Sequence, residues 1–262
     1  MTDAHRSWFA VVSDTHLTAD PASAATLRHA LARLAAGDRP AALVLPGDLA
    51  ADGAPEAYAA LRRLLDPVDV PVVPVMGNHD ELDAFTAAFG APDRVVRAGG
   101  TRVVALDSTI PGHHHGGLEP DQLEWLAAEL ATPAPEGTVL VLHHPPLPSP
   151  VPSVELLRLR EPEKLAEVLA GSDVRMIVCG HAHHAGAGVL AGIPVWTAPA
   201  LIYQVDVLPP AGRLRGVAGA AISRIDLLEG TAVATAVPLD GEPVYDVDAA
   251  ERVAWMRERI PG

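Results

Sequence analysis

Five short polar clusters in this 262-residue chain carry side chains able to hold metal ions. They are Asp14 with His16, Asp48, Asn78 with His79, His143, and His181 with His183. The set holds only carboxylates, imidazoles and one carboxamide. Mixed nitrogen and oxygen donors suit iron, manganese or zinc better than calcium. There are more donors than one tetrahedral site needs, and two cations sharing a carboxylate would use them all.

Each cluster stands just after an apolar run. Trp8 to Val12 runs into Ser13-Asp14-Thr15-His16, and Ala41 to Leu45 into Pro46-Gly47-Asp48. Val72 to Met76 runs into Gly77-Asn78-His79-Asp80, Thr138 to Leu142 into His143, and Arg175 to Cys179 into Gly180-His181-Ala182-His183. Runs of this length bounded by turn residues read as buried strands. In open α/β sheets, ligands bind in the crevice beyond the strands' carboxyl ends. Helices are expected after Asp20-Pro21, from Pro55 to Leu65, Glu81 to Phe89, Glu119 to Ala131 and Glu163 to Leu169. The Pro-rich stretch Leu147 to Pro152 reads as a loop and lid. Beyond about residue 180 the alternation of strands and helices gives way to short β-like runs. Val195 to Thr197, Leu201 to Val207, Ala220 to Ile225 and Thr231 to Val237 read as antiparallel strands.

Composition narrows the function classes. Apolar residues make up 49% of the chain and aromatics 4%, so a sizeable core is built mostly from Ala, Val, Leu and Ile. A net charge of −14 argues against a basic nucleic-acid footprint and against an anionic membrane surface. An anionic substrate remains compatible if bound cations reverse the local field. The single cysteine, Cys179, excludes an internal disulfide and a multi-Cys zinc site, and reads as a small buried hydrophobe. No run approaches a membrane span. Met1 to Ser7 is polar and Trp8 to Val12 is too short for a signal peptide, so the expectation is a soluble cytoplasmic protein.

The order Asp-x-His, Gly-Asp, Gly-Asn-His-Asp, His and Gly-His-x-His resembles the calcineurin-like metallophosphoesterases over roughly residues 8 to 200, with no departure at a ligand position. Three further stretches resemble the bacterial class III cyclic-nucleotide phosphodiesterases, particularly those of mycobacterial type. They are Pro111-Gly112-His113-His114-His115-Gly116, Ala131-Thr132-Pro133-Ala134-Pro135 and Leu142-His143-His144-Pro145-Pro146. The resemblance implies an α/β fold, a four-layer αββα sandwich of two mixed sheets flanked by helices. It implies two metal ions, iron and manganese favoured over zinc or other divalent ions, and a homodimer. Asp14, His16 and His183 would hold one metal, and Asn78, His143 and His181 the other. Asp48 would bridge them, and His79 would be the general acid at the leaving group, beside the ligand Asn78. Two such cations can clamp an in-line displacement at phosphorus, with a hydroxide between them as nucleophile. The expected activity is hydrolysis of a small-molecule phosphodiester, 3′,5′- or 2′,3′-cyclic AMP. A glycerophosphodiester, nucleotide sugar or phosphomonoester is an alternative that the same metal site would serve. A non-catalytic scaffold is disfavoured because His79 and every ligand are present.

In the histidine loop, His113 and His115 are candidate phosphate contacts, with a solvated loop as the plain alternative. His144 and His184 adjoin candidate ligands, and His144 is a further candidate substrate contact. Asp80 reads as an orienting carboxylate, and Asp107 as either that or a turn residue. Trp196, Tyr203 and the stretch around Gln204 could wall an adenine ring. The domain is expected over 1–240. The tail, 241–262, carries a helix capped by Asp248 and Glu251, with Val253, Met256 and Ile260 on one face docking it.

Overall fold

The apolar runs are unbroken because both faces of their strands are covered. In Ala42–Pro46 every residue is buried. Ala42 and Val44 point into a core between two sheets, while Leu43 and Leu45 point the other way, under helices. Alternation along a strand thus sorts one run of apolar residues into two layers.

The computed structural model describes residues 7–260, so the polar stretch before Ser7 lies outside the described residues. In chain order the elements are β1 (Ser7–Val11), α1 (Ala25–Ala35, entered through a 3-10 turn at Pro21–Ala24), β2 (Ala42–Pro46), α2 (Pro55–Leu65), β3 (Val72–Val75) and α3 (Leu82–Phe89). There follow β4 (Arg94–Ala98), β5 (Thr101–Ala105), α4 (Pro120–Leu130), β6 (Thr138–Val141), α5 (Pro152–Glu155), α6 (Pro162–Leu169) and β7 (Val174–Cys179). The remainder is β8 (Gly186–Leu190), β9 (Ile193–Thr197), β10 (Gln204–Val205), β11 (Gly216–Val217), β12 (Ala221–Leu228), β13 (Thr231–Pro238) and α7 (Ala249–Arg257).

One sheet runs β13-β12-β1-β2-β3 and the other β4-β5-β6-β7-β9-β8. Both are mixed. β1, β2 and β3 are parallel, with β12 antiparallel to β1. β5, β6, β7 and β9 are parallel, with antiparallel edges at β4 and β8. Phe9, Val11, Val44 and Val75 of the first sheet meet Val103, Val139, Val141 and Val178 of the second. Leu27, Leu61 and Phe85 of α1, α2 and α3 cover the first sheet's outer face. Leu126, Leu165 and Leu169 of α4 and α6 cover the second's. This is the four-layer αββα sandwich.

Three local expectations differ from the structure. β4 and β8 went unread because their compositions are poor for strands: Arg-Val-Val-Arg-Ala alternates in charge, and Gly186-Ala-Gly-Val-Leu holds two glycines. Both form as edge hairpins, β8 turning into β9 through Ala191 and Gly192, each with positive φ. The strand expected over Leu201 to Val207 contracts to Gln204–Val205. The C-terminal helix forms where expected, and Asp248 accepts the Glu251 N–H. It does not dock, however. No residue of it is buried, and Val253, Met256 and Ile260 are exposed. Its apolar residues alternate with Arg252, Arg257 and Arg259, and two arginines lie over Trp255 instead of a core. No described helix is long and apolar enough to cross a membrane.

One charge lies inside the second sheet's outer layer. Arg102 is 2% exposed; it pairs with Asp173 at 2.7 Å and donates to Thr138 Oγ1 and to the Thr132 carbonyl. It ties β5 to the end of α4 and the entry to β7. Arg102→Met strands the Asp173 carboxylate, so a loss of about 3–5 kcal/mol is expected in urea unfolding. A loss below about 1 kcal/mol would show that the pair does not hold this end of the sheet.

Candidate metal centre

The parallel strands β1, β2, β3, β6 and β7 all end on one edge of the sandwich, and every expected ligand follows one of them. The turns that deliver them are strained. Asp14, His16, Asp48, His181 and His183 adopt φ of 54°, 41°, 49°, 69° and 51°, a left-handed region that side chains with a β-carbon rarely enter. Such strain persists only where the surroundings over-determine the backbone, and it clusters at functional sites. Gly77 serves a different need. A β-carbon there would collide with Asp48 Oδ1 and the Asp48 amide. Only glycine lets the third loop approach the second so closely.

Two groups of donors result. Asp14, His16, Asp48 and His183 converge in one; His143, His144 and His181 converge in the other. Asp48 faces both. Its Oδ2 is 3.5 Å from His16 Nε2 and its Oδ1 is 3.3 Å from His143 Nε2. His183 Nε2 lies 3.4 Å from Asp14 Oδ1 and 3.2 Å from His16 Nε2. His181 Nδ1 lies 3.1 Å from His143 Nε2. The far nitrogen of His143 is committed: its Nδ1–H donates to the Pro46 carbonyl at 2.7 Å, which turns Nε2 inward.

Ring nitrogens that face each other this closely repel unless a proton or a cation sits among them. Asn78 Oδ1, His181 Nε2 and His183 Nδ1 are buried with no hydrogen-bond partner among the described residues, which native structures rarely tolerate. The donor set, with Asn78 Oδ1 orphaned at its edge, fits divalent cations.

The electrostatics agree. Burial would raise both acids, but the His183 imidazole outweighs that and lowers Asp14, while His143 lowers Asp48 well below the usual carboxylate range. Burial disfavours a charged His143, yet the Asp48 carboxylate raises it to about 9. Burial, with the His143 charge, pushes His181 down to about 3. His181 therefore presents neutral nitrogens, as a ligand must.

The pair opens onto a cleft of about 640 Å³ lined by His16, Asp48, Asn78, His79, His181 and His183 at its floor. A volume of this size is typical of a small-molecule site. Two other hollows, about 830 Å³ between α2 and α3 and about 470 Å³ beneath α1, are lined by no histidine. The calcineurin-like phosphoesterase family matches the chain over residues 7–185.

The chain belongs to that family.

A probable cyclic nucleotide phosphodiesterase of Rhodococcus erythropolis is 42% identical, the match covering 95% of this chain and 91% of that protein. A cAMP/cGMP dual specificity phosphodiesterase of Mycobacterium tuberculosis is 45% identical over 78% of this chain and 68% of its own length. A purple acid phosphatase from yellow lupin seeds shares the fold, with a TM-score of 0.66 at 14% identity, over 93% of this chain and 53% of that one.

In this phosphoesterase one residue of the histidine loop turns to the cleft. His114, not His113 or His115, lines the cleft. Its Nδ1 is 3.2 Å from Asn78 Nδ2, so the amide donates to it and Asn78 Oδ1 is left aimed inward. His113 and His115 pack on each other outside, ring centroids 4.9 Å apart. The register follows from Gly116, which is hydrogen-bonded to the backbone at Arg158 and Arg160 and seated against His144, where a β-carbon would collide. His144 does not line the cleft either. It is fully buried behind His143 and His181, with its Nδ1 at Ser108 Oγ, 2.8 Å away. Trp196 is turned away, donating to Ser223 Oγ and packing between the sheets, whereas Tyr203 does reach the cleft. Two apolar residues of the wall, Leu157 and Leu214, had no signal in sequence because their loops have no period.

Asp80 holds the second and third loops together. It accepts the amides of Leu49, Ala50 and Gly77 at 2.9–3.1 Å and the Tyr58 hydroxyl at 2.8 Å. Burial, then the Asp48 charge, push its carboxyl up to about 6. In metal-free protein the folded state thus keeps this proton where the unfolded chain has released it, between pH 3.8 and about 6. Stability falls as pH rises through that window, by about 3 kcal/mol in all. Asp80→Asn should remove this fall, so the wild-type advantage over the variant shrinks from pH 4 to pH 6 in urea titrations with chelator. A constant difference would show that Asp80 is ionised in the fold throughout.

Proposed function

We propose that the chain is a dinuclear metal-dependent phosphodiesterase that hydrolyses cyclic nucleotides, 3′,5′- or 2′,3′-cyclic AMP. The observation that carries the dinuclear reading is Asp48, which turns one oxygen to each donor group. The cyclic-nucleotide substrate is supported by the two relatives so named.

Asp14, His16 and His183 would hold one metal, and Asn78, His143 and His181 the other, with Asp48 shared. So bound, the metals supply an activated water and offset the charge of the phosphoryl group. The chain's own residues do the rest. His79 is oriented twice: its amide donates to Asp48 Oδ1 at 3.0 Å, and its Nδ1–H donates to the Ala51 carbonyl at 2.9 Å. A carbonyl only accepts, so the proton on Nδ1 is fixed and Nε2 is the nitrogen free to exchange one. His79 therefore acts as the acid through Nε2, from its doubly protonated form, onto the departing sugar oxygen. His114 keeps the Asn78 amide from turning over.

His79→Ala is expected to keep its metals and to lower kcat on cyclic AMP about 10²–10⁴-fold. On bis-p-nitrophenyl phosphate, whose leaving group needs no proton, the loss should be far smaller. Equal losses on both substrates would remove His79 from the acid role. Asp48→Ala should lower the occupancy of both metals together in elemental analysis; full retention of either would sink the shared assignment. Side-by-side kcat/KM on the two cyclic AMP isomers decides between them.

A further inference from the structure

Above the polar floor the cleft changes character. One wall is formed by Val154 and Leu157, from the segment that begins at α5. The other is formed by Ile202, Tyr203, Leu214 and Arg215, on the hairpin of β10 and β11. Tyr203 and Leu214 remain 42% and 62% exposed, large apolar surfaces turned to the opening. A metal site for a simple phosphate ester has no use for them.

The hairpin wall is fixed to the floor. The Val205 amide donates to the His183 carbonyl at 2.6 Å, and Leu201 donates to Ser13. The Gln204 side chain spans the Ala200 and Gly219 carbonyls. The Tyr203 ring packs on the His183 ring, centroids 4.5 Å apart. Gly216, paired with Val205 on the other strand, lies beside the Tyr203 ring, where a β-carbon would come within 3.4 Å of it. Arg215 is engaged through Nε and Nη2 by Asp206 Oδ2, so its charge is largely answered. What it offers the cleft is its planar face, which stacks on aromatic rings, more than a free anion clamp.

Resting on the phosphodiesterase reading above, we propose that this slot is a nucleobase site. Tyr203, Leu214 and Arg215 form one wall and Val154 and Leu157 the other. It makes the preferred substrate a diester that carries a planar heteroaromatic base, over small diesters such as glycerophosphodiesters. A base held there is gripped by its faces, as single-stranded nucleic-acid proteins grip bases on aromatic rings. The slot therefore selects for a base more than for which base.

The test compares substrates that differ only by the base. Metal-reconstituted wild type, Tyr203→Ala, Tyr203→Phe and Leu157→Ala are assayed on cyclic AMP and on the matching cyclic phosphate of 1-O-methylribose. Each protein's ratio of kcat/KM on the two is read, so that any disturbance of His183 cancels. In wild type the ratio should favour cyclic AMP by about 10-fold or more, mostly through KM. Tyr203→Ala and Leu157→Ala should bring it several-fold toward one, and Tyr203→Phe should retain it. Calorimetry gives a readout free of turnover: AMP should bind wild type at least about 10-fold tighter than ribose 5-phosphate, and Tyr203→Ala should lose that margin. A wild-type ratio near one, or a ratio unmoved by Tyr203→Ala, overturns the slot while leaving the phosphodiesterase intact. Failure to hydrolyse any diester, bis-p-nitrophenyl phosphate included, overturns the activity instead, and the calorimetric margin still decides the slot.

Discussion

Asp14 and Asp48 are carboxylates with almost no contact with water, placed within reach of each other where two sheets end. Burying like charges side by side is costly unless something positive lies between them. The chain supplies partial answers. The His181 amide reaches Asp14 and the His79 amide reaches Asp48, at 3.0 Å each. The Asp48 carboxylate, against the effect of burial, keeps His143 protonated up to about 9. Those protons occupy nitrogens that a metal would need, so loading the site exchanges protons for cations and relieves the same repulsion. The rest of the edge follows from this pair. His143 is turned by Pro46 so that its inner nitrogen faces Asp48, and Asp80 is tucked behind to hold the loops that carry it.

The strained turns make sense in that light. Five candidate ligands sit in the left-handed region, at a cost of order 1–3 kcal/mol each. Strands buried on both faces tolerate this, because nothing short of unravelling β1, β2 or β7 relaxes the turn. The sandwich is a stiff frame whose packing offsets a backbone that would not hold its shape alone. That is also why the floor needs glycine at 77: loops bent this sharply leave no room for a side chain between them.

This explains what could be read from sequence and what could not. Apolar runs such as Ala42–Pro46 and the amphipathic helix Pro55–Leu65, opened by proline, announce themselves, since both faces of a central strand and one face of a helix must be apolar. Residues that directly follow such runs inherit a position, and so the structure brings Asp14, His16, Asp48, Asn78, His143, His181 and His183 together as a sequence reader would gather them. Residues in loops inherit nothing. Three consecutive histidines look alike, and only the anchoring of Gly116 against His144 decides that His114 turns inward. His144 adjoins His143 in sequence and its ring lies beside those of His143 and His181, but it is buried against Ser108 Oγ and does not line the cleft. β4 and β8 are edge strands, held by their neighbours more than by their own composition, and α7 shows that a cap and a spacing make a helix without giving it anything to pack on.

The floor and the walls of the cleft therefore have different origins and different freedom. The floor descends from strand ends, and few substitutions there would leave the donors in place. Val154, on the short helix α5, and Leu157 and Leu214, on irregular segments, touch no candidate ligand through a hydrogen bond, so their size and shape can change without disturbing the donors. Tyr203 is the exception. Its ring lies on His183, and two residues on the Val205 amide is bonded to the His183 carbonyl. Whatever Tyr203 does for a substrate, it also does for the position of His183. Selectivity and metal geometry are coupled through that one contact and separable everywhere else along the wall. Diversification of substrate in this architecture is therefore open at Leu157 and Leu214, and constrained at Tyr203 by the chemistry beneath it.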